Sequence, residues 1–171
     1  MINRVNYTLI GIFLLLLQSL SAQQKNNIRL SLNDNPIKTS IELIDSAKYK
    51  VQAIVYKFEV RSLLDAIVRA NKRGVKIQIL VDGKEAKKKN SLVKLAKEKG
   101  VKIRKWKQSK LHAKLLIIDE KTVITGSFNW TKAANDKNIE ILIIEDKKAI
   151  VDNYLLLFTD LWKKAKEQKN K

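Results

Sequence analysis

The chain has 171 residues, no cysteine and one histidine, with 35 Lys and Arg against 17 Asp and Glu and a formal net charge of +18. Without cysteine it has neither disulfides nor a Cys-ligated zinc site, and a single histidine argues against any other zinc centre. A field of this sign draws polyanions: nucleic acid is the first expected partner and an anionic membrane surface the second, with a merely solubilising lysine surface as the plain alternative.

In chain order, MINRVNYTLIGIFLLLLQSLSA comes first, with Arg4 its only charge and an apolar core from Tyr7 to Leu17. That core is shorter than the roughly 20 residues a membrane-crossing helix needs. It matches a secretory signal peptide, with Ser19, Ser21 and Ala22 near the cleavage site. Residues 1–22 are thus expected to be a signal peptide, or else an N-terminal anchor, and 23–171 a single domain. Both readings put the domain outside the cytoplasm, periplasmic or secreted, with membrane anchoring under the second.

Ile28 to Leu32 alternates as a short strand, and Asn35 before Pro36 caps a helix. Val51 to Phe58 reads as a strand. Leu63, Leu64, Ile67 and Val68 have helical spacing in a segment that stops at Gly74, and a strand to Asp82 follows. After the basic loop Lys84 to Asn90, a third helix ends at Gly100 and a strand runs to Trp106. Ile139 to Asp146 is a strand, and a closing helix from about Lys147 aligns Val151, Tyr154, Leu155, Phe158 and Trp162 on one face. Helices alternating with strands that are apolar on both faces predict an α/β sandwich with a mixed, largely parallel sheet flanked by helices.

The chemistry gathers in KLHAKLLIIDEKTVITGSFNW, Lys110 to Trp130. If this run starts as a strand, His112 and Lys114 share a face, with Leu111, Ala113 and Leu115 on the other. An ammonium beside an imidazole favours the neutral imidazole, which can attack an anionic centre such as phosphate. A hairpin at Asp119 to Thr122 brings Ser127 and Asn129 back toward the same end. A hydroxyl, a carboxamide and an ammonium can then hold phosphate oxygens and stabilise transition-state charge. Asp82 reads as a capping residue at a strand end. Trp106 either packs or stacks on a base.

HAKLLIID followed by GSFNWT resembles the H-x-K-x4-D-x6-G-S-x-N signature of the phospholipase D superfamily, and the chain around it resembles the small, single-motif, nuclease-type branch. With average residue usage, H-x-K-x4-D arises by chance in roughly one chain in a hundred of this length, and the full pattern in roughly a few per million. The resemblance implies metal-independent phosphodiester hydrolysis through a phosphohistidine, with no cofactor. One histidine attacks phosphorus and a second protonates the leaving oxygen. One histidine per chain then implies a homodimer with a shared site. Carried over, His112 is nucleophile in one copy and general acid in the other. Lys114, Ser127, Asn129 and Asn138 hold phosphate, and Glu140 orients an imidazole. Asp119 belongs to the signature as a catalytic or a structural residue. The expected activity is that of a sequence-nonspecific endonuclease; the alternative is a phospholipase D releasing lipid headgroups.

Overall fold

The computed structural model describes residues 28–30 and 35–167; the expected signal segment lies outside them. Helix α1 (Pro36–Ser46) starts where the sequence marks it, with the Asn35 side chain accepting from Lys38 N at 2.9 Å and Pro36 at the first position. β2 (Lys50–Val55), α2 (Arg61–Lys72) and β3 (Lys76–Asp82) follow. A 3₁₀ turn at Glu85–Lys87 and the short α3 (Val93–Glu98) lead to β4 (Ile103–Trp106). Then come β5 (Leu115–Ile118), β6 (Thr122–Gly126), α4 (Lys132–Asp136), β7 (Ile141–Glu145) and α5 (Lys148–Glu167). With β1 (Ile28–Leu30), the strands form one sheet in the order β1-β7-β6-β5-β2-β3-β4.

The sheet is mixed, as expected, but its parallel part is the smaller one. β2, β3 and β4 pair in parallel, while β2–β5, β5–β6, β6–β7 and β1–β7 are antiparallel. The physical reason is the connections: β5 and β6 are joined by a hairpin too short for a crossover, which forces them antiparallel.

Alternation along the strands makes two cores. Val51, Ala53 and Val55 of β2 join Leu63, Leu64 and Ile67 of α2 on one face. Ile54 joins Leu80, Leu115, Ile117 and the α5 residues Val151, Phe158 and Trp162 on the other. The α5 stripe read from the sequence therefore faces the sheet. Trp106 packs in this second core at 7% exposure, its indole N–H donating to Ser109 Oγ at 3.1 Å, so base stacking gives way to packing.

Candidate active site

His112 stands before β5, not within it. Strand pairing begins at Leu115, and His112 to Lys114 form an unpaired lead-in, with Ala113 exposed where a strand would have turned it inward. The lead-in is held at both ends. Buried Leu111 donates its N–H to Asp82 Oδ2 at 2.9 Å, and Thr125 Oγ1 donates to the Lys114 carbonyl at 2.9 Å. The imidazole therefore projects into a cleft of about 390 Å³, lined by His112, Lys114, Ser127, Asn129, Tyr154 and Leu157 among others.

Lys114 Nζ lies 3.1 Å from His112 Nδ1 and 3.3 Å from Nε2, and donates to the His112 carbonyl at 2.7 Å. Tyr56 meets the imidazole edge-on with ring centres 4.6 Å apart, and Lys110 and Lys114 approach the Tyr56 face at 5.1 and 5.5 Å. Burial, and then the charges of Lys114, Lys110 and Lys57, push the His112 pKa below its ordinary value. Lys114 is itself lowered, by burial and by Lys110, against the opposing pull of Glu140. The lowered pKa favours the neutral imidazole, the form that can act as a nucleophile.

β6 ends at Gly126, and Ser127 turns against β7. Its N–H donates to the Ile141 carbonyl and its hydroxyl oxygen accepts from Ile141 N, each at 3.1 Å. The Ser127 hydroxyl donates to Glu140 Oε2, while Asn138 Nδ2 donates to Glu140 Oε1 at 2.9 Å. Glu140 is 6% exposed, so Ser127 and Asn138 enclose a buried carboxylate whose charge reaches Lys114. Asn129 Oδ1 is buried without a hydrogen-bond partner, a capacity a bound group could fill. His112, Lys114, Ser127, Asn129, Glu140 and Asn138 are thus brought together. Among the described residues no three His, Asp or Glu side chains cluster as a metal site.

Asp119 is not in this group, and of the two roles open to it the structural one fits its surroundings. It lies at the far end of β5 from Lys114, in a turn where Asp119 and Glu120 both have positive φ (50° and 58°). Its carboxylate accepts from the N–H groups of Lys48, Tyr49 and Lys50 at 2.8, 3.0 and 2.8 Å, and Tyr49 Oη donates to its carbonyl. Burial alone would raise its pKa, but those donors and Lys121 outweigh it and hold the carboxylate below its ordinary range. Asp119 ties the β5–β6 turn to the start of β2.

Two expected outcomes follow. Asn tolerates positive φ, so Asp119→Asn removes the charge while keeping the turn shape. It should cost about 1–3 kcal/mol in urea unfolding and leave the folded protein's His112 chemistry intact. A lowered carboxylate stabilises above its ordinary pKa and loses that contribution as pH falls through the folded value, so the variant should show a shallower acid loss of stability. His112, being the single histidine, gives one titrating imidazole resonance. Its midpoint should lie below about 6.5 and rise in Lys114→Met; a wild-type midpoint at or above about 6.5 would contradict the electrostatic account.

Tyr56 and the Asp82–Leu111 tie escaped the sequence reading. Asp82 was legible only as a cap, which it also is, accepting from Lys84 N and Glu85 N at 2.9 Å each.

The fold and this constellation define a phospholipase D-like domain. Comparison with known proteins agrees: the family model described as "Cardiolipin synthase, PLD-like domain" matches residues 40–162. The chain belongs to the phospholipase D superfamily. It is similar to a mitochondrial cardiolipin hydrolase of Xenopus tropicalis, at 29% identity over 75% of this chain and 62% of that one. It is also similar to a phospholipase D of Rickettsia conorii, at 34% identity over 66% and 56%. The chain thus spans less than two thirds of the length of these relatives. Among solved structures it resembles Nuc of Salmonella typhimurium, a phospholipase D family member, with a TM-score of 0.73 and 30% identity over 80% of this chain and 92% of that one. NucT of Helicobacter pylori matches with a TM-score of 0.70 and 25% identity over 80% and 95%.

Proposed function

We propose that the chain is a metal-independent phosphodiesterase and, more specifically, a sequence-nonspecific endonuclease working as a homodimer. The observation that carries this reading is a single histidine opening on a cleft, with Lys114 and the Ser127–Asn129 turn beside it. An imidazole nitrogen of one copy attacks phosphorus, forming an N–P bond as the P–O bond to the leaving group breaks. The partner copy's imidazolium gives its proton to the departing oxygen, then as a neutral base takes one from the water that cleaves the N–P bond. Lys114 and the Asn129 amide N–H offset charge on the non-bridging oxygens, joined by Ser127 once its hydroxyl turns from Glu140 to the phosphate. Ile139, Ile141, Leu156 and Leu157 stay 70%, 44%, 70% and 46% exposed. Ile139 and Ile141 flank Glu140, Leu157 lines the cleft and Leu156 is its neighbour on α5, and a second copy would cover such a rim.

Nucleic acid is favoured as substrate by the +18 charge and by the lysines around His112. A lipid substrate is the second reading, supported by the same apolar rim and by the relatives named phospholipase D and cardiolipin hydrolase. Plasmid nicking in excess EDTA, run beside headgroup release from anionic vesicles, separates them. Nicking that survives EDTA and outpaces headgroup release supports the nuclease; the reverse ranking supports the lipase. Export through residues 1–22 is proposed as well, and N-terminal sequencing of the protein recovered from the cell envelope or medium tests it. Among the described residues no helix is long and apolar enough to cross a membrane.

A further inference from the structure

A second cavity, of about 380 Å³, opens between the loops that follow β3 and β4. Lys84, Lys87, Lys105, Lys107 and Lys110 line it. The single acid among its lining residues, Asp82, has both carboxylate oxygens occupied by backbone N–H groups of Lys84, Glu85 and Leu111. Lys88 nearby is paired with Glu85 at 2.7 Å, whereas among the described residues Lys87, Lys105 and Lys110 enter no ion pair and Lys84 acts on Asp82 only through space.

The walls are fixed. Gly83 N donates to the Trp106 carbonyl at 2.8 Å, and a Cβ at position 83 would stand 2.5 Å from that oxygen. The loops can approach this closely only with glycine there. The Asp82–Leu111 bond joins this wall to the segment carrying His112.

The cavity and the catalytic cleft are continuous in charge. Lys110 lines the cavity, leans over Tyr56 at 5.1 Å and acts electrostatically on both His112 and Lys114. Two residues of extended chain reach at most about 7 Å, so the mouth of the cavity lies within a few phosphate spacings of His112.

We propose that this lysine-lined cavity is a subsite for the backbone phosphates of a polynucleotide strand that continues from the scissile phosphate. The inference rests on the phosphodiesterase reading above and adds where the strand runs. Lysines recognise phosphate as mobile point charges and read no sequence, which suits a nonspecific enzyme. A membrane surface fits less well. The site is concave, and the exposed large apolar side chains, such as Ile139 and Leu156, are not among its lining residues.

The test uses the full chain carrying His112→Ala, so that binding is read without turnover, and a fluorescent 20-nucleotide single strand followed by anisotropy. Adding Lys84→Ala, Lys87→Ala and Lys105→Ala should weaken binding at least about tenfold, and should make the salt dependence shallower by about two in log–log slope. The charge-matched control Lys38→Ala, Lys94→Ala and Lys164→Ala removes exposed lysines elsewhere and should do neither. Equal weakening in both triples would overturn the subsite in favour of the overall field. So would loss of binding to phosphatidylglycerol vesicles with oligonucleotide affinity intact, and so would a parent chain that binds no oligonucleotide. In the active background, the ratio of polynucleotide to bis-p-nitrophenyl phosphate kcat/KM should fall with the first triple alone. A wild type that hydrolyses neither substrate and releases no lipid headgroup would end the phosphodiesterase reading, while the anisotropy comparison would still decide the subsite.

Discussion

His112→Ala is expected to lower phosphodiester hydrolysis by at least about 10⁴-fold, because under the proposed shared site one substitution removes the nucleophile from one copy and the general acid from the other. The far-reaching part of the prediction concerns mixtures. If a productive site takes an imidazole from each copy, co-refolded wild type and His112→Ala should lose activity as the square of the wild-type fraction. An equal mixture then keeps about a quarter of full activity, against about a half if each copy works alone. Leaving-group chemistry sharpens the test. A p-nitrophenolate departs without a proton, so a mixed dimer can still form its phosphohistidine on bis-p-nitrophenyl phosphate. It then lacks the second imidazole to activate water. Mixed dimers should therefore release one burst of nitrophenolate and stall, with the phosphoryl group trapped on the remaining His112. A linear mixing curve without a burst would place all the chemistry in one chain and remove the shared site.

The grouping of the candidate site was legible in the sequence because it is local. His112 and Lys114 are two residues apart, and the hairpin that returns Ser127 and Asn129 needs only the turn at Asp119 to close. What the sequence did not disclose is set by distant partners. The alternation through His112 looked like strand because side-chain period is a property of the chain. Pairing depends on neighbours, and here pairing begins at Leu115. Asp119 shows the same limit: its fixed place in the signature suggested chemistry, yet its partners are Lys48, Tyr49 and Lys50, about 70 positions earlier. Tyr56 reaches His112 only through the antiparallel register that sets β2 against β5. Trp106 sits in a lysine-rich run that left packing and stacking both open, and α5 folds back over β4 and encloses it. The short α4 gave no periodic signal, and its Thr131 cap, accepting from Ala134 N at 3.2 Å, is recognisable only once the turn exists.

Gly126→Ala is expected to be the most destabilising single change near the site. Gly126 has φ of +140°, where L side chains are strained, and a Cβ there would stand 2.0 Å from the Ile141 carbonyl oxygen. That oxygen cannot simply retreat, since it accepts the Ser127 N–H, while Ile141 N donates back to Ser127 Oγ. Relief must come from moving β7 away from β6 or from rotating the Gly126–Ser127 peptide. The first loosens the pairing of Gly126 with Leu142 and opens the core at Leu142, which is 3% exposed. The second swings the Ser127 hydroxyl off Glu140. Backbone strain of about 1–3 kcal/mol and a packing clash of about 1–3 kcal/mol together make a loss of about 2–6 kcal/mol, a large part of a domain's stability. Urea unfolding followed by far-UV circular dichroism reads that loss as a lower midpoint at unchanged slope. Ser127→Ala supplies the contrast: it removes the same hydroxyl without crowding the backbone, so it should depress turnover while costing far less stability. If Gly126→Ala unfolds at the wild-type midpoint, the close approach of β6 and β7 at Ile141 is wrong, and with it the positions of Ser127 and Glu140.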